Sequence, residues 1–171
     1  MTCNDCTSFT KNMENYSSPY IKDISYEYIR GLVEGEGCFT FCPTHKRLSG
    51  DYAKVPEFII AMNERDRYLL IAVRDKLGLN SRIYSRKAWN GDGIKRGPSA
   101  VLMVRDFRQL KDIIIPFFYK KLKGHKGKQF MAWLERIGND PMITDRFKSL
   151  YNLYKLGMYD KHPNFTSKFL D

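Results

Sequence analysis

The segment 28–37 constrains the fold more than any other part of the chain, because it combines helical periodicity with two internal glycines. Apolar residues recur at helical spacing after Ser25, which can cap a helix, and the pattern ends in a Gly-Glu-Gly stop. Gly31 and Gly35 are four residues apart and therefore lie on one helix face. A glycine inside a helix costs about 0.5–1 kcal/mol relative to alanine. Two at this spacing indicate a face that a second helix approaches closely.

Helical and strand patterns follow one another along the chain and predict an α+β fold. Windows with apolar residues at helical spacing are followed by windows in which polar and apolar residues alternate, with a strong turn signal at 89–93. The predicted elements are a helix over 25–35, strands over 38–42 and 55–62, a helix over 64–77 closed by Gly78, strands over 81–87 and 99–104, a helix over 107–115 ended by Pro116, and helices over 129–137 and 146–156. This order is an αββαββ unit with additional C-terminal helices, and its four strands can form a curved antiparallel sheet.

The charge of the chain is strongly basic and unevenly distributed. Lys and Arg total 29 against 19 Asp and Glu, which gives a formal net charge of +10. Residues 1–37 carry a net charge of −3, so residues 38–171 carry +13. Such an excess favours a polyanionic partner, either nucleic acid or an anionic membrane surface. A basic body with a local acidic cluster suits a nucleic-acid enzyme that needs carboxylates for metal ions, although a plain solvated basic surface would look similar.

The chain is expected to be soluble and intracellular, in the cytoplasm or nucleoid or in an organelle matrix. It contains no run of roughly 18 apolar residues that could span a membrane. Residues 1–24 are polar and lack the apolar stretch of a secretory signal, so we expect a flexible N-terminal extension. Residues 25–171 are expected to form a single domain, since this length can bury a core of its own.

Four cysteines raise the question of a zinc site. Cys3 and Cys6 are separated by two residues, and Cys38 and Cys42 could supply two more thiolates beside His45. The wider spacing of the second pair and the absence of core residues around the first pair argue against this arrangement. We therefore expect reduced thiols rather than structural zinc.

Glu36 follows the two helix glycines and projects from the end of the predicted helix. If the second helix belongs to an identical chain, two-fold symmetry brings two Glu36 side chains together. Adjacent carboxylates repel unless a cation lies between them, and oxygen ligands of this kind suit Mg²⁺. The plain alternative is an ordinary helix with a glycine cap and two solvated glutamates, Glu34 and Glu36.

Read residue by residue, Ile29 to Gly37 resembles the LAGLIDADG motif of homing endonucleases. Glycine occupies the third and ninth positions and replaces alanine at the seventh, and acids occupy the sixth and eighth. The departures are glutamate for aspartate at both acidic positions and Arg30 where alanine is common; we expect Arg30 to point away from the packed helix face. The resemblance extends at lower specificity over about 25–137, including the Pro116-Phe117-Phe118 stretch.

This resemblance implies an intron-encoded type of homing endonuclease that makes double-strand breaks in a long, pseudo-palindromic DNA site. A single motif implies a homodimer, and the interface would be formed by Tyr28, Gly31, Leu32 and Gly35. Glu36 would be the catalytic, metal-binding carboxylate, with Gly35 also at the metal. Magnesium is the expected ion, and Mn²⁺ or Ca²⁺ would substitute in binding. The resemblance further implies catalytic roles for Lys126, with Lys128 as a close competitor, and for Asn63 and Arg67.

Basic residues are expected to bind the DNA from a polar sheet face and a connector. A β-ribbon fits the major groove, where each base pair presents a distinct pattern of donors and acceptors. The expected DNA-binding residues are Thr40, Cys42, Thr44 and Lys46 on the first strand, Arg82, Tyr84, Arg86 and Lys87 on the third, and Lys121, Lys123 and Lys128 in the lysine-rich connector, which also contains Lys120. The alternative for the strand residues is a solvated outer face.

Two other functions fit the same fold. An intron maturase would use the basic sheet to bind structured RNA, and its acids could be inert. A non-catalytic DNA-binding regulator would bind a palindrome without depending on metal. The presence of Glu36 and Lys126 favours cleavage over both.

Overall fold

The computed structural model describes residues 24–91, 93 and 95–169, so the Cys3–Cys6 pair lies outside the described residues. The chain forms, in order, α1 (Tyr26–Glu36), β1 (Gly37–Lys46), β2 (Tyr52–Asn63), a 3₁₀ turn (Glu64–Asp66), α2 (Arg67–Leu77), β3 (Ile83–Arg86), β4 (Ser99–Val104), α3 (Phe107–Gln109), a π-helical turn (Leu110–Ile114), α4 (Ile115–Phe118), α5 (His125–Asn139), α6 (Asp145–Lys155), α7 (Met158–Lys161) and α8 (Pro163–Thr166). This order confirms the predicted α+β fold and its αββαββ unit.

The four strands form one antiparallel sheet in the order β1-β2-β4-β3. Side chains alternate along a strand, and residues paired across strands share a face. The buried Phe58, Ile60, Leu102 and Val104 therefore define an inner face, which packs on the helices. The opposite face, here called the outer face, carries Cys38, Thr40, Cys42, Val55, Glu57, Ile59, Ala61, Asn63, Tyr84, Arg86, Ser99, Val101, Met103 and Arg105.

Aromatic side chains fill the core between β1 and α5. The ring of Phe39 lies 4.9 Å from that of Phe130 and 5.5 Å from that of Trp133, and Phe41 packs against the same tryptophan. The indole Nε1 of Trp133 donates a hydrogen bond of 2.8 Å to the backbone oxygen of Thr40. Fully burying a side chain of this kind contributes roughly 1.5–3 kcal/mol. Phe39 and Phe41 therefore face the core.

The two predicted helix signals at Ser25 and Gly78 are both used as expected. The Ser25 hydroxyl accepts a hydrogen bond of 3.1 Å from the backbone nitrogen of Tyr28, which caps the start of α1. Gly78 ends α2 in the left-handed region at φ 68°, where its N–H binds carbonyls of the last turn. A side chain would be strained in that conformation, so the glycine sets the end of the helix.

The prediction that a helix ends at Pro116 is wrong, because the chain continues helically to Phe118. Proline lacks an N–H and clashes with the carbonyl four residues earlier. A π-helical turn just upstream changes the hydrogen-bonding register, and the N–H of Ile115 bonds to the carbonyl of Leu110. The Asp112 carbonyl, four residues before the proline, instead accepts a hydrogen bond of 3.2 Å from Lys168 Nζ. The helix thus continues through the proline, and the Asp112 carbonyl is not left without a hydrogen-bond donor.

A register shift near the end of β1 changes the face on which Lys46 lies. Pairing is regular from Gly37 to Pro43, but between Pro43 and Lys46 an extra residue enters β1, and Lys46 lies opposite Tyr52. Because side chains alternate along β2, Tyr52 lies on the same face as Lys54 and Phe58, which is the inner face. The prediction that Lys46 shares a face with Thr40 is therefore wrong, since a bulge inverts the alternation beyond it.

Residues after α6 form two short helices that the sequence patterns do not reveal. Gly157 turns the chain at φ 69°, and α7 and α8 each contain four residues, too few to show a helical period. Tyr159 and Phe169 from this region are buried in the core.

Two absences concern the part of the chain that the structure describes. None of its helices has the length and apolar character needed to cross a bilayer. Cys38 and Cys42 are unbridged thiols on the outer face, and no group of three or more His, Cys, Asp or Glu side chains lies close enough to share a metal ion.

Candidate functional site

One face of α1 is only partly covered by the described residues. Tyr28 is 49% exposed, and Leu32 is half-buried one turn further along. A Cβ added to Gly31 or to Gly35 would meet no atom within 4 Å. Tyr28 lies three and four residues before Gly31 and Leu32, and Gly35 lies four and three residues after them, so the four residues form a single stripe, which we call the glycine face. Its glycines leave the helix backbone open to a close approach from outside the chain.

Glu36 lies at the end of the glycine face, where α1 passes directly into β1. Its side chain is exposed and has no hydrogen bond or ion pair to another described residue. The transition from helix to strand requires Gly37, because a Cβ there would overlap the side chain and backbone of Val33. Gly37 pairs with Ile60, so the Glu36 carboxylate leaves the helix at the end of the sheet where β2 finishes.

The second acid of the segment, Glu34, has a different role. Its Oε1 accepts hydrogen bonds from the backbone nitrogens of Lys123, at 2.5 Å, and Gly124, at 3.1 Å. These N–H groups lie at the start of α5, where a carboxylate satisfies unpaired donors and the positive end of the helix dipole. Glu34 therefore joins the end of α1 to the beginning of α5, while Glu36 stays available for a ligand.

The lysines considered for the site lie in the first turn of α5. Lys126 is half-buried there, close to the join that Glu34 makes, and Lys128 is exposed. Lys128 lines a cavity of about 500 Å³ together with Leu122, Lys123 and Phe130. The structure thus separates the two candidate lysines: Lys128 lines this cavity, and Lys126 is not among its lining residues.

Asn63 and Arg67 occupy different environments. Asn63 is exposed on the outer face at the last position of β2, and its Oδ1 accepts a hydrogen bond of 3.1 Å from the backbone nitrogen of Arg65. The guanidinium of Arg67 instead bonds to Glu64 at 2.5 Å, to the Ile83 carbonyl at 3.2 Å, and to the Ser85 hydroxyl.

Asn63 therefore lies at the end of the sheet where Glu36 emerges. The guanidinium of Arg67 is instead hydrogen-bonded to β3. Arg67 holds β3 against the 3₁₀ turn, since its three nitrogens bond to groups on those two elements. The catalytic roles predicted for Arg67 and Asn63 both stay predictions.

The outer face carries most of the strand residues expected to contact DNA. Tyr84 pairs with Val101 and Arg86 with Ser99, so both project from this face, and Arg82 continues the alternation at an exposed position. Thr40 and Cys42 lie on the same face of β1. The residues at and beyond the bulge differ. The Thr44 hydroxyl donates to the Ala53 carbonyl at 3.1 Å, and Lys46 lies on the inner face of the sheet.

The lysine-rich connector does not act as one uniform basic surface. Lys120 adopts a left-handed backbone conformation and its Nζ lies 2.8 Å from Asp160. That hydrogen bond raises the pKa of Lys120. Four other lysines are exposed and form no ion pair with a described residue: Lys121, Lys123 and Lys128, and Lys87 beyond β3.

An ion pair on the outer face was not foreseen from the sequence. Arg105 Nε donates to Glu57 Oε1, and the Glu57 side chain is only 6% exposed. The pattern contains a signal for it, because Glu57 is the one acid in the largely apolar β2 segment and Arg105 continues the alternation of β4. The match between the two positions depends on strand pairing, which the sequence alone does not give.

Comparisons with known proteins agree on one group of relatives. The family model described as LAGLIDADG endonuclease matches residues 29–137. The comparison with curated proteins found no match. Among solved structures, the chain is similar to the I-LtrWI LAGLIDADG homing endonuclease bound to target DNA, with 29% identity and a TM-score of 0.52 over 66% of this chain and 36% of that one.

Two further structures share the fold at lower identity. I-SmaMI, bound to uncleaved DNA in the presence of calcium ions, has 24% identity and a TM-score of 0.56, covering 78% of this chain and 44% of that one. The homing endonuclease I-TnaI has 22% identity and a TM-score of 0.51, covering 78% of this chain and 98% of that one. The chain thus spans less than half the length of the DNA-bound enzymes and nearly all of I-TnaI.

Proposed function

This chain belongs to the LAGLIDADG endonuclease family, and we propose that it cuts both strands of a long, pseudo-palindromic DNA site by metal-dependent hydrolysis, as a homodimer. The observation that carries the proposal is the glycine face of α1, which is open to a second helix and ends at the exposed carboxylate of Glu36. The basic charge of the chain and the DNA-bound state of I-LtrWI support the choice of substrate.

A second copy of the chain is the occupant we propose for the glycine face. Two copies related by a two-fold axis would meet through the same stripe, with Gly31 and Gly35 of each helix allowing the backbones to approach. Tyr28 and Leu32 would lose their exposed apolar area in that contact. The arrangement brings the two Glu36 side chains to the axis from opposite sides.

The donor set of one chain fits a divalent cation only in such a pair. The described residues hold no cluster of three potential ligand side chains, and Glu36 is a single exposed carboxylate without a described partner. Two such carboxylates, with the Gly35 carbonyls beside them, present the hard oxygen ligands that Mg²⁺ prefers. A bound divalent ion would activate water and stabilise negative charge on the phosphate. Mn²⁺ or Ca²⁺ would replace Mg²⁺ in binding.

The chain's own groups supply the rest of the site. Lys126, in the first turn of α5, is held near the end of α1 because Glu34 joins these two helix ends. Its ammonium would stabilise the additional negative charge that develops on the phosphate oxygens. The Asn63 side chain projects at the same end of the sheet and would orient a water by hydrogen bonding. Lys128, exposed beside the cavity, would contact the phosphate backbone.

DNA would lie against the outer face. Arg82, Tyr84 and Arg86 project together from the edge strand, and Thr40 and Cys42 from the opposite edge of the sheet. Arginine pairs bidentately with guanine in the major groove, which provides direct base recognition. Lys87, Lys121 and Lys123 would bind phosphates without sequence preference, and Thr44 and Lys46 would contact DNA only at the tip of the β1–β2 hairpin.

The test compares Glu36→Gln with Glu34→Gln on a library of long randomised duplexes in Mg²⁺. The wild type and Glu34→Gln should both yield cut duplexes, because the amide oxygen at position 34 still accepts from the start of α5. Glu36→Gln should lose cleavage by a factor of at least about 100, since a metal ligand becomes neutral, while its duplex binding in Ca²⁺ stays within a few-fold of the wild type. Equal cutting by Glu36→Gln would remove the proposed mechanism. Binding of structured intron RNA without DNA nicking would favour a maturase instead.

A further inference from the structure

The outer face contains one arginine that is held in place by a carboxylate of the same face. Glu57 lies opposite Thr40 on β1, and the β2–β4 register that pairs Phe58 with Val104 places Arg105 on the other side of it. The three side chains therefore form one row across the sheet. Arg105 Nε donates to Glu57 Oε1 at the centre of this row.

The burial of this pair is unequal. The Glu57 side chain is 6% exposed, whereas the Arg105 side chain is 44% exposed. A carboxylate so removed from water is costly unless it is paired. Glu57 is therefore not an acid presented to the DNA phosphates. Its charge is compensated by a cation that itself reaches the solvent.

Only part of the guanidinium is used by this contact. Arginine has five N–H donors in a planar fork, and the bond to Glu57 uses Nε. The terminal nitrogens of Arg105 make no hydrogen bond to the residues that the structure describes. Those nitrogens form the edge that matches the O6 and N7 acceptors of guanine in the major groove.

The edge-strand arginines lack such an anchor. Arg82 and Arg86 are exposed and have no ion pair among the described residues. Ordering a long side chain on binding costs conformational entropy, and a side chain that is already fixed avoids most of this loss. The anchor thus distinguishes Arg105 as the arginine of the outer face whose geometry is set before DNA binds.

We propose that Arg105, positioned by Glu57, reads one guanine in each half-site. This inference rests on the proposed binding of DNA to the outer face. Glu36 is level with Ala61 by extension of the β1–β2 register, and Ala61 lies four residues from Glu57 along β2. Four residues of a strand span about 13 Å, which corresponds to about four base pairs of DNA at 3.4 Å each. The guanine is therefore expected about four base pairs from the position level with Glu36.

The experiment compares base preferences of the wild type, Arg105→Lys, Arg105→Ala and Glu57→Gln by sequencing the duplexes that each protein retains from a randomised library in Ca²⁺. Arg105→Ala should reduce the guanine preference at one base pair per half-site about tenfold. Arg105→Lys should reduce it nearly as much although it keeps the charge, because the bidentate fork is lost. Glu57→Gln should weaken the same preference several-fold and leave the other positions unchanged. Arg86→Ala, the control, removes an unanchored arginine and should leave this position intact.

The outcomes separate this inference from the proposed cleavage. If Arg105→Lys and Glu57→Gln change only the melting temperature and every base preference survives, the pair is structural and the inference is overturned. If the wild type enriches a motif with the Arg105-dependent guanine but cuts no duplex in Mg²⁺, the proposed cleavage fails and this inference stands. A wild type that enriches no sequence overturns both.

Discussion

Arg30 occupies a position of α1 where the LAGLIDADG pattern commonly has alanine, and it is buried inside its own chain. Its Nε lies 3.5 Å from the Phe117 carbonyl and its Nη2 lies 3.4 Å from the Phe169 carbonyl. The guanidinium also lies 4.6 Å from the centre of the Phe117 ring, and Nη1 pairs with Glu27. The side chain points away from the glycine face, as expected, and connects α1 to α4 and to the C-terminal segment.

Arg30→Ala is therefore expected to destabilise the fold without touching the site. The substitution removes donors from two carbonyls, at about 1 kcal/mol each, and a cation–π contact of about 0.5–2 kcal/mol. We expect a loss of about 2.5–4 kcal/mol in the free energy of unfolding, measured by urea denaturation. Arg65→Ala is the matched control, because Arg65 is 81% exposed in a surface ion pair with Asp66. Equal stability of the two variants would contradict the role assigned to Arg30.

Single residues could be predicted from the sequence where the chemistry is local, and not where it depends on pairing. Gly31, Gly35 and Glu36 were identified because helical spacing alone places them. Glu57 and Arg105 are 48 residues apart, and only the strand register brings them together.

The contacts of Arg67 also depend on how distant segments pack. The resemblance implied a catalytic role for this residue, and hydrogen bonds to Glu64, Ile83 and Ser85, which the sequence did not reveal, hold its guanidinium at β3; the role itself stays a prediction.

At the scale of elements, regular helices and strands followed their periodic patterns, whereas local irregularities were missed. Strand β4 was predicted at its observed limits, and α2 ends at Gly78 as expected. The helix through Pro116 was missed, because a π-helical turn changes the hydrogen-bonding pattern without changing the apolar spacing. The bulge before Lys46 was missed for a related reason, since one inserted residue leaves no signature in a polar hairpin.

The tip of the β1–β2 hairpin is fixed to the loop between α5 and α6. The Lys54 N–H donates to the Met142 carbonyl at 2.8 Å, and Arg47 donates to the carbonyls of Pro141 and Met142. Asp140 strengthens the join, because its carboxylate accepts from Lys54 Nζ at 3.3 Å and from the Met142 N–H at 2.8 Å. The hairpin that would flank the DNA is thereby held by the helical layer.

Asp140 makes this join sensitive to acid. Burial raises the pKa of its carboxyl, but the Met142 N–H together with Lys54 and Arg136 outweighs burial and lowers the pKa below its ordinary value. A depressed pKa in the folded state gives stability that is complete above the ordinary value of about 4 and is lost as the pH falls through the folded value.

Asp140→Asn should therefore lower the melting temperature at neutral pH and reduce the loss of stability below about pH 4. The measurement is the melting temperature as a function of pH for both proteins. Asp145→Asn is the matched control, since Asp145 is 99% exposed beside Lys148 and should leave both the temperature and its pH dependence near those of the wild type. Parallel curves for Asp140→Asn and the wild type would show that the join does not depend on this carboxylate.

At the scale of the whole molecule, the inner face of the sheet is covered by helices while the glycine face of α1 is open. The core runs from the inner face through α4 to α6, and Ile29 and Val33 fix α1 to it from one side. The opposite side of the same helix carries the exposed Tyr28, Gly31 and Gly35, together with Leu32, which is only partly packed against the core. A helix that is buried on one side and open along a small-residue stripe on the other is typical of one that packs against a second helix.

Gly35→Leu should therefore abolish association and cleavage while leaving the single chain folded. A Cβ at position 35 meets no described atom within 4 Å, and replacing a helical glycine should stabilise the isolated chain by up to about 1 kcal/mol. The leucine side chain would block the approach of a second α1. Sedimentation should show a dimer for the wild type and a monomer for Gly35→Leu. Gly78→Ala is the control with the opposite result, because its φ of 68° strains any side chain and lowers stability without affecting association. A dimeric Gly35→Leu would mean that the chain does not pair through the glycine face, and Glu36 would then lack its second carboxylate.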